Sequence, residues 1–367
     1  MGTSHSWHPG IDQVASRWAV PVELLPDELL STWLTRAALA QGCDPLVLTG
    51  ELWPGWRVWT VDLDRGIDDG RLLAVQQASG VPVEAFRAAS LRPIAREITA
   101  GPLDDLAVWP WVLALGSRNR KRRGGLQYCP TCLSVDRRPY FRVQWRLAWH
   151  TCCPRHQVAL MDRCPHCGAP VEPQRLSAPD GHLTVCATCR GDLRGMEGQP
   201  PVPAAATFQE WADGVVKGPH GRYGDQVLSK AEWFQLARYF VMLLRKAIPR
   251  QGLSRMVEGL GVDVSTLTPP ATGLALELLP VLERASLLGG AWHLLQAGPE
   301  RFLEACRSTA LGASSLREQR QPNPPCIEAL LQDLPVKVIT RKRKGRTTKP
   351  RSQQAVRRMF ARLQRKV

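Results

Sequence analysis

The sequence predicts a mainly α-helical protein in which a cysteine-rich segment separates two helical domains and a basic tail follows. Three observations lead to this prediction. Apolar residues recur at helical spacing on both sides of the middle segment, and the last residues are rich in Lys and Arg. Within the middle segment lie four pairs of Cys or His residues, each pair with two residues between its members. We expect an irregular arm (1–25), a helical domain with a helix-turn-helix (26–125), tandem metal-binding ribbons (126–195), a helical domain (196–335) and a tail with an amphipathic helix (336–367).

Length and charge narrow the class of protein. The chain has 367 residues and a formal net charge of +15, which is enough length for two or three domains. Residues 337–367 contain thirteen Lys/Arg and no Asp or Glu, so +13 of the +15 belongs to the tail and +2 to the rest. The sequence has no apolar run of the roughly 18–20 residues that cross a bilayer and no secretion signal at its start, so we expect a cytoplasmic protein without a membrane partner.

The N-terminal domain begins with a predicted helix. Asp27 is expected to cap it, and Gly42 is expected to end it. Six apolar residues at helical spacing form its buried side: Leu29, Leu30, Trp33, Leu34, Ala37 and Ala38. The tryptophans that follow, among them Trp53, are expected to anchor a small core.

A helix-turn-helix is predicted next. One helix starts at Asp69, the sequence Ser-Gly-Val at 79–81 makes the turn, and Pro82 opens the second helix. A weaker copy of the pattern spans 253–267. Both units have two interpretations, since a helix-turn-helix can contact DNA or serve as a packing corner. The remaining C-terminal domain is expected to be helical, with β-hairpins only at the metal sites.

The four pairs predict two metal sites. Their spacings are C-x2-C-x20-C-x2-H and C-x2-C-x18-C-x2-C, and two pairs complete one tetrahedral site. Thiolates with one imidazole favour zinc, so we expect two structural Zn²⁺ ions in closed sites. The predicted ligands are Cys129, Cys132, Cys153, His156, Cys164, Cys167, Cys186 and Cys189.

Two details of these sites follow from the sequence. Cys152 is adjacent to Cys153, and the spacing to His156 assigns Cys153 as the ligand and leaves Cys152 as a neighbour. Gly168 and Gly191 come just after a pair, where a positive φ is expected. Three histidines in the region are not needed to fill either site: His150, His166 and His182.

The chain shows no catalytic motif. It has no HExxH, no Walker A sequence and no GxSxG elbow. Three acidic pairs are present, and we expect them to cap helices or to lie in solvated loops rather than to hold catalytic metals: Asp62/Asp64, Asp68/Asp69 and Asp104/Asp105. We therefore expect a protein that is not an enzyme.

Two basic segments predict contact with nucleic-acid phosphates, because clustered cations gain from counterion release. The first is a glycine-flanked loop with Arg118, Arg120, Lys121, Arg122 and Arg123, whose alternative role is a solvated hinge. The second is the tail, with Arg341, Lys342, Arg343, Lys344, Arg346, Lys349, Arg351, Arg357 and Arg358. A solubility tail or a membrane-surface helix are the alternatives for the second segment.

Several motifs resemble one protein family. The sequences YCPTC, PYFRVQW, CPRHQVALMDRCPHC and CATC are similar to the zinc-binding core of the TniQ/TnsD family of transposition proteins. Upstream, LPDELLSTWLTRAA resembles the N-terminal signature of that family in Pro26, Glu28, Ser31, Trp33 and Arg36. The resemblance covers about residues 24–195, and the doubled Cys152–Cys153 departs from the pattern.

The resemblance implies a non-catalytic targeting adaptor in a bacterial cytoplasm, associated with the nucleoid during transposition. Family members mark the insertion site and recruit a AAA+ ATPase regulator, which then engages the transposase. Some read a DNA attachment site, and others dock on a CRISPR RNA-guided effector complex, often as a homodimer. The residues themselves leave a second hypothesis open, a transcription regulator with zinc ribbons and a helix-turn-helix. Neither the target sequence nor the mode of targeting follows from the sequence.

Overall fold

The computed structural model describes residues 17–115, 125–194, 196, 198–267, 274–318 and 322–335. Helices dominate these ranges and strands are few and short, so the predicted mainly α class is confirmed. Throughout these ranges, each helix is too short or too polar to span a bilayer.

Five helices make up most of the N-terminal part. They are α1 (Leu30–Ala40), α2 (Pro45–Leu52), α3 (Asp69–Ser79), α4 (Val83–Ala88) and α5 (Arg92–Ile98). Trp33 on α1 is fully buried, and its ring lies 4.9 Å from the Phe86 ring of α4 and 5.5 Å from that of Trp18. This core fixes α1 against the α3–α4 unit, as the tryptophan content suggested.

The start of α1 differs from the prediction. Leu29, not Asp27, occupies the N-cap position, and no side chain caps the helix. Asp27 has a φ of +55° and points to the cysteine-rich segment, where its carboxylate accepts a hydrogen bond from Tyr140 Oη at 3.2 Å and its carbonyl accepts one from Val143 N at 2.7 Å. Contact with that segment therefore replaces the capping role. Gly42 follows the end of the helix with a φ of +72°, as predicted.

The segment before α1 lies along that helix. Both backbone groups of Val20 bond to the Gln41 side chain, at 3.1 and 2.6 Å, and Trp33 Nε1 donates to the carbonyl of Val22 at 3.3 Å. Residues 17–25 are thus irregular, as expected, but side chains of α1 and of the residue after it hold them in place. Residues 1–16 of the predicted arm lie outside the described residues.

The first helix-turn-helix forms as predicted. Asp68 caps α3 by accepting a hydrogen bond from Arg71 N, and Gly80 turns the chain with a φ of +78° before α4. The prediction of a second helix-turn-helix at 253–267 is wrong, because its second helix does not form. After its first helix, Gly261 turns the chain, but only a 3-10 turn follows at Val264–Thr266.

The cysteine-rich segment is mostly loops. It contains α6 (Pro130–Val135) and one antiparallel hairpin of β1 (Cys152–Cys153) and β2 (Val158–Ala159). The predicted restriction of hairpins to the metal sites is wrong. A second antiparallel hairpin, β3 (Gly221–Tyr223) with β4 (Gln226–Leu228), connects two C-terminal helices.

The C-terminal part is helical. Its helices are α7 (Pro203–Lys217), α8 (Lys230–Ala247), α9 (Gln251–Glu258), α10 (Val281–Ser308), α11 (Ala313–Leu316) and α12 (Pro325–Gln332). Ser229 and Glu232 form a capping box at the start of α8, in which each side chain bonds the backbone N–H of the other residue. Within α10, Gly298 has a φ of +73° and Pro299 follows it, so the helix kinks there.

A continuous buried core joins the cysteine-rich segment to the C-terminal helices. At its centre, the Trp111 ring lies 6.2 Å from that of Trp149, 6.2 Å from Phe208 on α7 and 5.5 Å from Phe234 on α8. The core around Trp33 is a separate cluster. The larger core also includes α5, which packs against α7 and α8, so the metal-binding segment and the end of the N-terminal part share one core with the C-terminal helices.

Candidate metal centres

The first set of predicted ligands comes together in space. His156 Nδ1 lies 3.5 Å from Cys129 Sγ, 3.3 Å from Cys132 Sγ and 3.5 Å from Cys153 Sγ, and the Cys132 and Cys153 sulfurs are 3.6 Å apart. All four ligand atoms lie within 4.8 Å of one another. The three cysteines are buried, and the helix α6 and the β1–β2 hairpin present them to a common centre.

The second set forms a cluster of four cysteines. Cys164 Sγ lies 3.7 Å from Cys189 Sγ, and Cys167 Sγ lies 3.8 Å from Cys186 Sγ, with all four atoms within 4.8 Å of one another. Two members, Cys164 and Cys186, are buried, whereas the other two are exposed. This site is therefore more accessible to solvent than the first.

The spacing of the ligand atoms fits a tetrahedral ion. With Zn–S of about 2.3 Å and Zn–N of about 2.0–2.1 Å, two sulfurs lie about 3.8 Å apart and a sulfur and a nitrogen about 3.5 Å apart. The measured separations in both clusters agree with these values to within a few tenths of an ångström. Both clusters can hold a metal ion, because each brings four candidate ligand atoms together.

Three of the four ligand pairs share one turn. The residue four positions after the first ligand has a positive φ, and its N–H donates to the carbonyl of that ligand at 2.9 Å. These residues are Gln157, Gly168 and Arg190. The prediction for Gly168 is therefore confirmed, and that for Gly191 is wrong because Arg190 takes the left-handed conformation. Gly191 serves another purpose, since a Cβ there would lie 2.5 Å from the His166 ring.

The side chains of the two adjacent cysteines, Cys152 and Cys153, have different surroundings. Cys153 belongs to the first cluster, whereas Cys152 Sγ lies 3.5 Å from Gln209 Oε1 on α7. Gln209 also accepts hydrogen bonds from Thr151 N and Cys152 N at 2.9 and 3.2 Å and donates to the Cys152 carbonyl at 3.0 Å. Cys152 therefore lies outside the cluster, at the contact with α7, and the clustering of Cys153 agrees with its assignment from the spacing.

The three additional histidines have partners outside the clusters. His150 Nε2 lies 2.8 Å from Asp213 Oδ1 on α7, and Trp149 Nε1 donates to the same oxygen. His166 bonds the carbonyl of Asp192, and His182 bonds Thr184 Oγ1. Sequence reasoning missed Gln209 and Asp213, the α7 side chains that attach this helix to the first metal site.

One of the acidic pairs does not have the predicted role. Asp62 and Asp64 are neither caps nor solvated, because they bind Arg146, whose side chain is fully buried. Arg146 Nη1 donates to Asp64 Oδ2 at 2.7 Å, and Asp64 also accepts from Ser31 N and Ser31 Oγ. Burial alone would lower the pKa of Arg146, but the two carboxylates raise it and keep it charged. The sequence WRLAW signals such a residue, since a charge among apolar neighbours needs partners.

The helix-turn-helix surface carries paired charges. Arg87 on α4 lies 2.8 Å from Asp69 and 3.6 Å from Glu84, and Arg71 on α3 pairs with Asp68. Its two exposed arginines are thus neutralised within the unit. A helix that reads DNA needs free cations and donors on its exposed face.

The basic candidates lie elsewhere. All five cations of the 118–123 loop and all nine tail cations from Arg341 to Arg358 fall outside the described residues. Their predicted contacts with nucleic acid stay predictions.

One family model matches about 40% of the chain, within its N-terminal half. Residues 19–160 match the TniQ model. The chain carries a TniQ domain. The match contains the first metal cluster and ends before Cys164, the first ligand of the second. A search of curated proteins gave no match.

The resemblance noted in the sequence is therefore confirmed for residues 19–160, and the structure gives a physical role to the TniQ signature residues. Glu28 is fully buried and pairs with Arg36 at 2.7 Å, Trp33 fills the N-terminal core, and Ser31 binds Asp64. These residues stabilise the fold and attach α1 to the metal-binding segment.

Proposed function

We propose that this protein is a non-catalytic adaptor that marks the insertion site of a DNA transposon and recruits a AAA+ ATPase regulator, which engages the transposase. The TniQ domain over residues 19–160 is the observation that carries this proposal. In this proposal the protein brings the target, the ATPase and the transposase together.

The two metal clusters support a structural role for the metal. Each has four protein ligands at zinc-compatible separations, so we propose two structural Zn²⁺ ions. A bound zinc ion contributes about 10–16 kcal/mol to the folding of a small domain of this kind. The ions would hold together loops that have little regular secondary structure, and α1 and α7 pack against those loops.

DNA contact in this proposal comes from the basic segments rather than from the helix-turn-helix. The arginines of α3 and α4 are paired with neighbouring carboxylates, whereas residues 337–367 contain thirteen cations and no acid. Contacts from such a tail go to phosphates and do not depend on base sequence. Selection of the target would then come from a partner complex or from another surface of the protein.

A salt titration tests the role of the tail. Affinity for a DNA duplex is measured between about 50 and 200 mM salt for three proteins. They are the full chain, a chain ending at Val336, and a full-length variant in which Gln replaces every tail Lys and Arg. Loss of phosphate contacts flattens the plot of log K against log salt, so both altered chains are expected to give a shallower slope. An unchanged slope would show that the tail does not bind DNA.

A binding assay with purified proteins tests the adaptor role. The full chain is mixed with the AAA+ ATPase encoded in the same transposon, and complex formation is measured by light scattering and calorimetry. A stoichiometric complex that also requires the target supports the proposal. Binding to one DNA operator without any affinity for the ATPase would instead identify a transcription regulator.

A further inference from the structure

The two metal clusters differ in how far their sulfur atoms are exposed. The three cysteines of the first cluster are buried, whereas Cys167 and Cys189 of the second are exposed. Oxidants reach a thiolate more readily when it is open to solvent. One chain therefore carries a shielded cluster and an open one, and an oxidant meets the thiolates of the open cluster first.

Each exposed cysteine of the second cluster has a buried cysteine beside it. Cys189 Sγ lies 3.7 Å from Cys164 Sγ, and Cys167 Sγ lies 3.8 Å from Cys186 Sγ. Both contacts join the two halves of the cluster, because each links one ligand pair to the other. An exposed thiolate with a second thiolate within reach is the arrangement of cysteines that form disulfides reversibly.

A series of polar contacts leads from this cluster toward the N-terminal helices. Arg190, which directly follows Cys189, pairs with Asp180 at 2.9 Å. Asp180 Oδ2 accepts hydrogen bonds from Ser177 N and Ser177 Oγ, at 2.7 and 2.9 Å, and these bonds close the 3-10 turn at Ala178–Asp180. The last ligand pair and this turn are therefore held together.

The same turn holds the start of helix α2. Ala178 N donates to Asp44 Oδ1 at 2.7 Å. Asp44 is the N-cap residue of α2, but its side chain accepts no hydrogen bond from that helix, so its carboxylate serves the contact with the turn instead. A second 3-10 turn, Pro173–Arg175, contacts both α1 and α2. The second cluster is thus connected to the TniQ domain, although the family match ends before its first ligand.

We propose that the second cluster is an oxidation-sensitive switch, which controls the contact of residues 173–180 with helices α1 and α2. This inference rests on the zinc occupancy proposed above and not on the adaptor role. In the reduced protein the four thiolates share one ion, the two ligand pairs are held together, and the contact is made. Hydrogen peroxide oxidises two of these thiolates, the cluster releases its ion, and the contact is lost.

The oxidation converts two thiolates, one hydrogen peroxide and two protons into a disulfide and two waters. The Cys189 thiolate attacks one peroxide oxygen, the O–O bond breaks, and the departing hydroxide is protonated to water. The Cys164 thiolate then attacks the Cys189 sulfur, the S–S bond forms, and the S–O bond breaks to give the second water after protonation. Cys167 and Cys186 can react in the same way. The cluster then retains two ligands, too few for a tetrahedral site.

Zinc release under peroxide tests the proposal on the full chain. The reduced protein is analysed for two zinc ions and is then treated with hydrogen peroxide and a coloured chelator. One ion is expected to appear at least about tenfold faster than the other. Cleavage after Lys and Arg identifies the oxidised cluster, because its first two cysteines lie in the peptide 164–175 and its other two in the peptide 176–190. A disulfide that links these two peptides is expected.

Hydrogen exchange in α2 measures the structural consequence. Peroxide is expected to speed exchange over residues 44–52, and a thiol reductant with added zinc is expected to restore slow exchange. Asp44→Ala removes the oxygen that accepts from Ala178 N, so its α2 should exchange faster before peroxide and change little afterwards. Asp44→Asn keeps an oxygen acceptor and should respond to peroxide as the original chain does.

Four results would contradict the proposal. Earlier release from the first cluster, or simultaneous release from both, would show that the second cluster is not the sensitive one. Disulfides confined to single peptides would overturn the assigned chemistry. Release of zinc without any change in α2 exchange would refute the connection to α1 and α2. A reduced chain without zinc in the second cluster would refute both the zinc occupancy and the switch, while the adaptor role stands.

Discussion

Arg146 and Asp64 form a salt bridge of 2.7 Å in which both side chains are fully buried. Arg146 belongs to the metal-binding segment, and Asp64 lies between α2 and α3 of the N-terminal part. Asp64 also binds Ser31 on α1, and Arg146 Nη2 donates to the Leu113 carbonyl at 2.7 Å. This pair therefore joins three segments of the TniQ domain.

Removal of the arginine is expected to destabilise the protein strongly. In Arg146→Met, the fully buried carboxylate of Asp64 loses its cationic partner, and Asp62 keeps only Arg65. Breaking a buried pair from one side costs about 3–5 kcal/mol, because the remaining charge is not compensated. Urea unfolding followed by tryptophan fluorescence measures the loss of unfolding free energy.

Arg138 supplies the control for this experiment. It pairs with Glu23 at 3.3 Å, and both side chains are more than half exposed. Arg138→Met is expected to change the unfolding free energy by less than about 1 kcal/mol, since exposed pairs contribute little. Equal effects of the two substitutions would show that the Arg146 pair does not stabilise the TniQ domain.

The sequence allowed the two clusters of Cys and His residues to be predicted but not the contacts between segments. Two-residue spacing is a local property, so Cys153 could be assigned over Cys152 without a structure. The pairing of Arg146 with Asp62 joins residues 84 positions apart, and no local pattern encodes such a distance. Asp27 shows the same limit, because it has the composition of a helix cap but its partner Tyr140 is distant in the chain.

Backbone conformation was also only partly predictable. A glycine after a ligand pair suggests a positive φ, and Gly168 has one. At the last pair Arg190 adopts this conformation instead, because the turn requires it at the fourth position after the first ligand. Gly191 is present for the close approach of His166, which sequence spacing does not reveal.

The buried carboxyl of Glu28 is expected to make stability depend on pH. Burial raises the pKa of Glu28 above its ordinary value of 4.5, even though Arg36 opposes this shift. The folded state thus retains the proton to higher pH than the unfolded state does, and the contribution of Glu28 to stability falls as pH rises through the raised pKa. Glu28→Gln has no proton to lose, so its unfolding free energy should improve relative to the original chain as pH rises above 4.5.

Urea titrations at several pH values, with both proteins measured side by side, follow this difference. Effects of pH on the metal sites cancel in the comparison, since Glu28 is not a predicted ligand. A difference that stays constant across the acidic range would show that Glu28 ionises alike in both states.

The adjacent cysteines give a sharp test of metal binding. Cys153→Ser removes a ligand of the first cluster, so the purified chain is expected to hold one zinc ion instead of two and to lose structure in that ribbon. Cys152→Ser should keep both ions, because the Cys152 sulfur contacts Gln209 instead. Elemental analysis and circular dichroism measure the two effects, and the reverse pattern would assign Cys152 as the ligand.

Gln209 is expected to couple α7 to the first metal site. Its side chain bonds the backbone of Thr151 and Cys152, next to the ligand Cys153. Gln209→Ala leaves these buried backbone groups without partners, and each unsatisfied group costs about 1–3 kcal/mol.

The substitution should lower the unfolding free energy and speed the release of zinc from the first site to a coloured chelator. The hydrogen bonds of Gln209 go to Thr151 and Cys152 and not to the four cysteines of the second site, so that site should release its ion at an unchanged rate and serves as an internal reference. Glu210→Ala, at the exposed neighbouring position of α7, should alter neither rate. Equal acceleration at both sites would mean that Gln209 acts through global stability rather than on the first site.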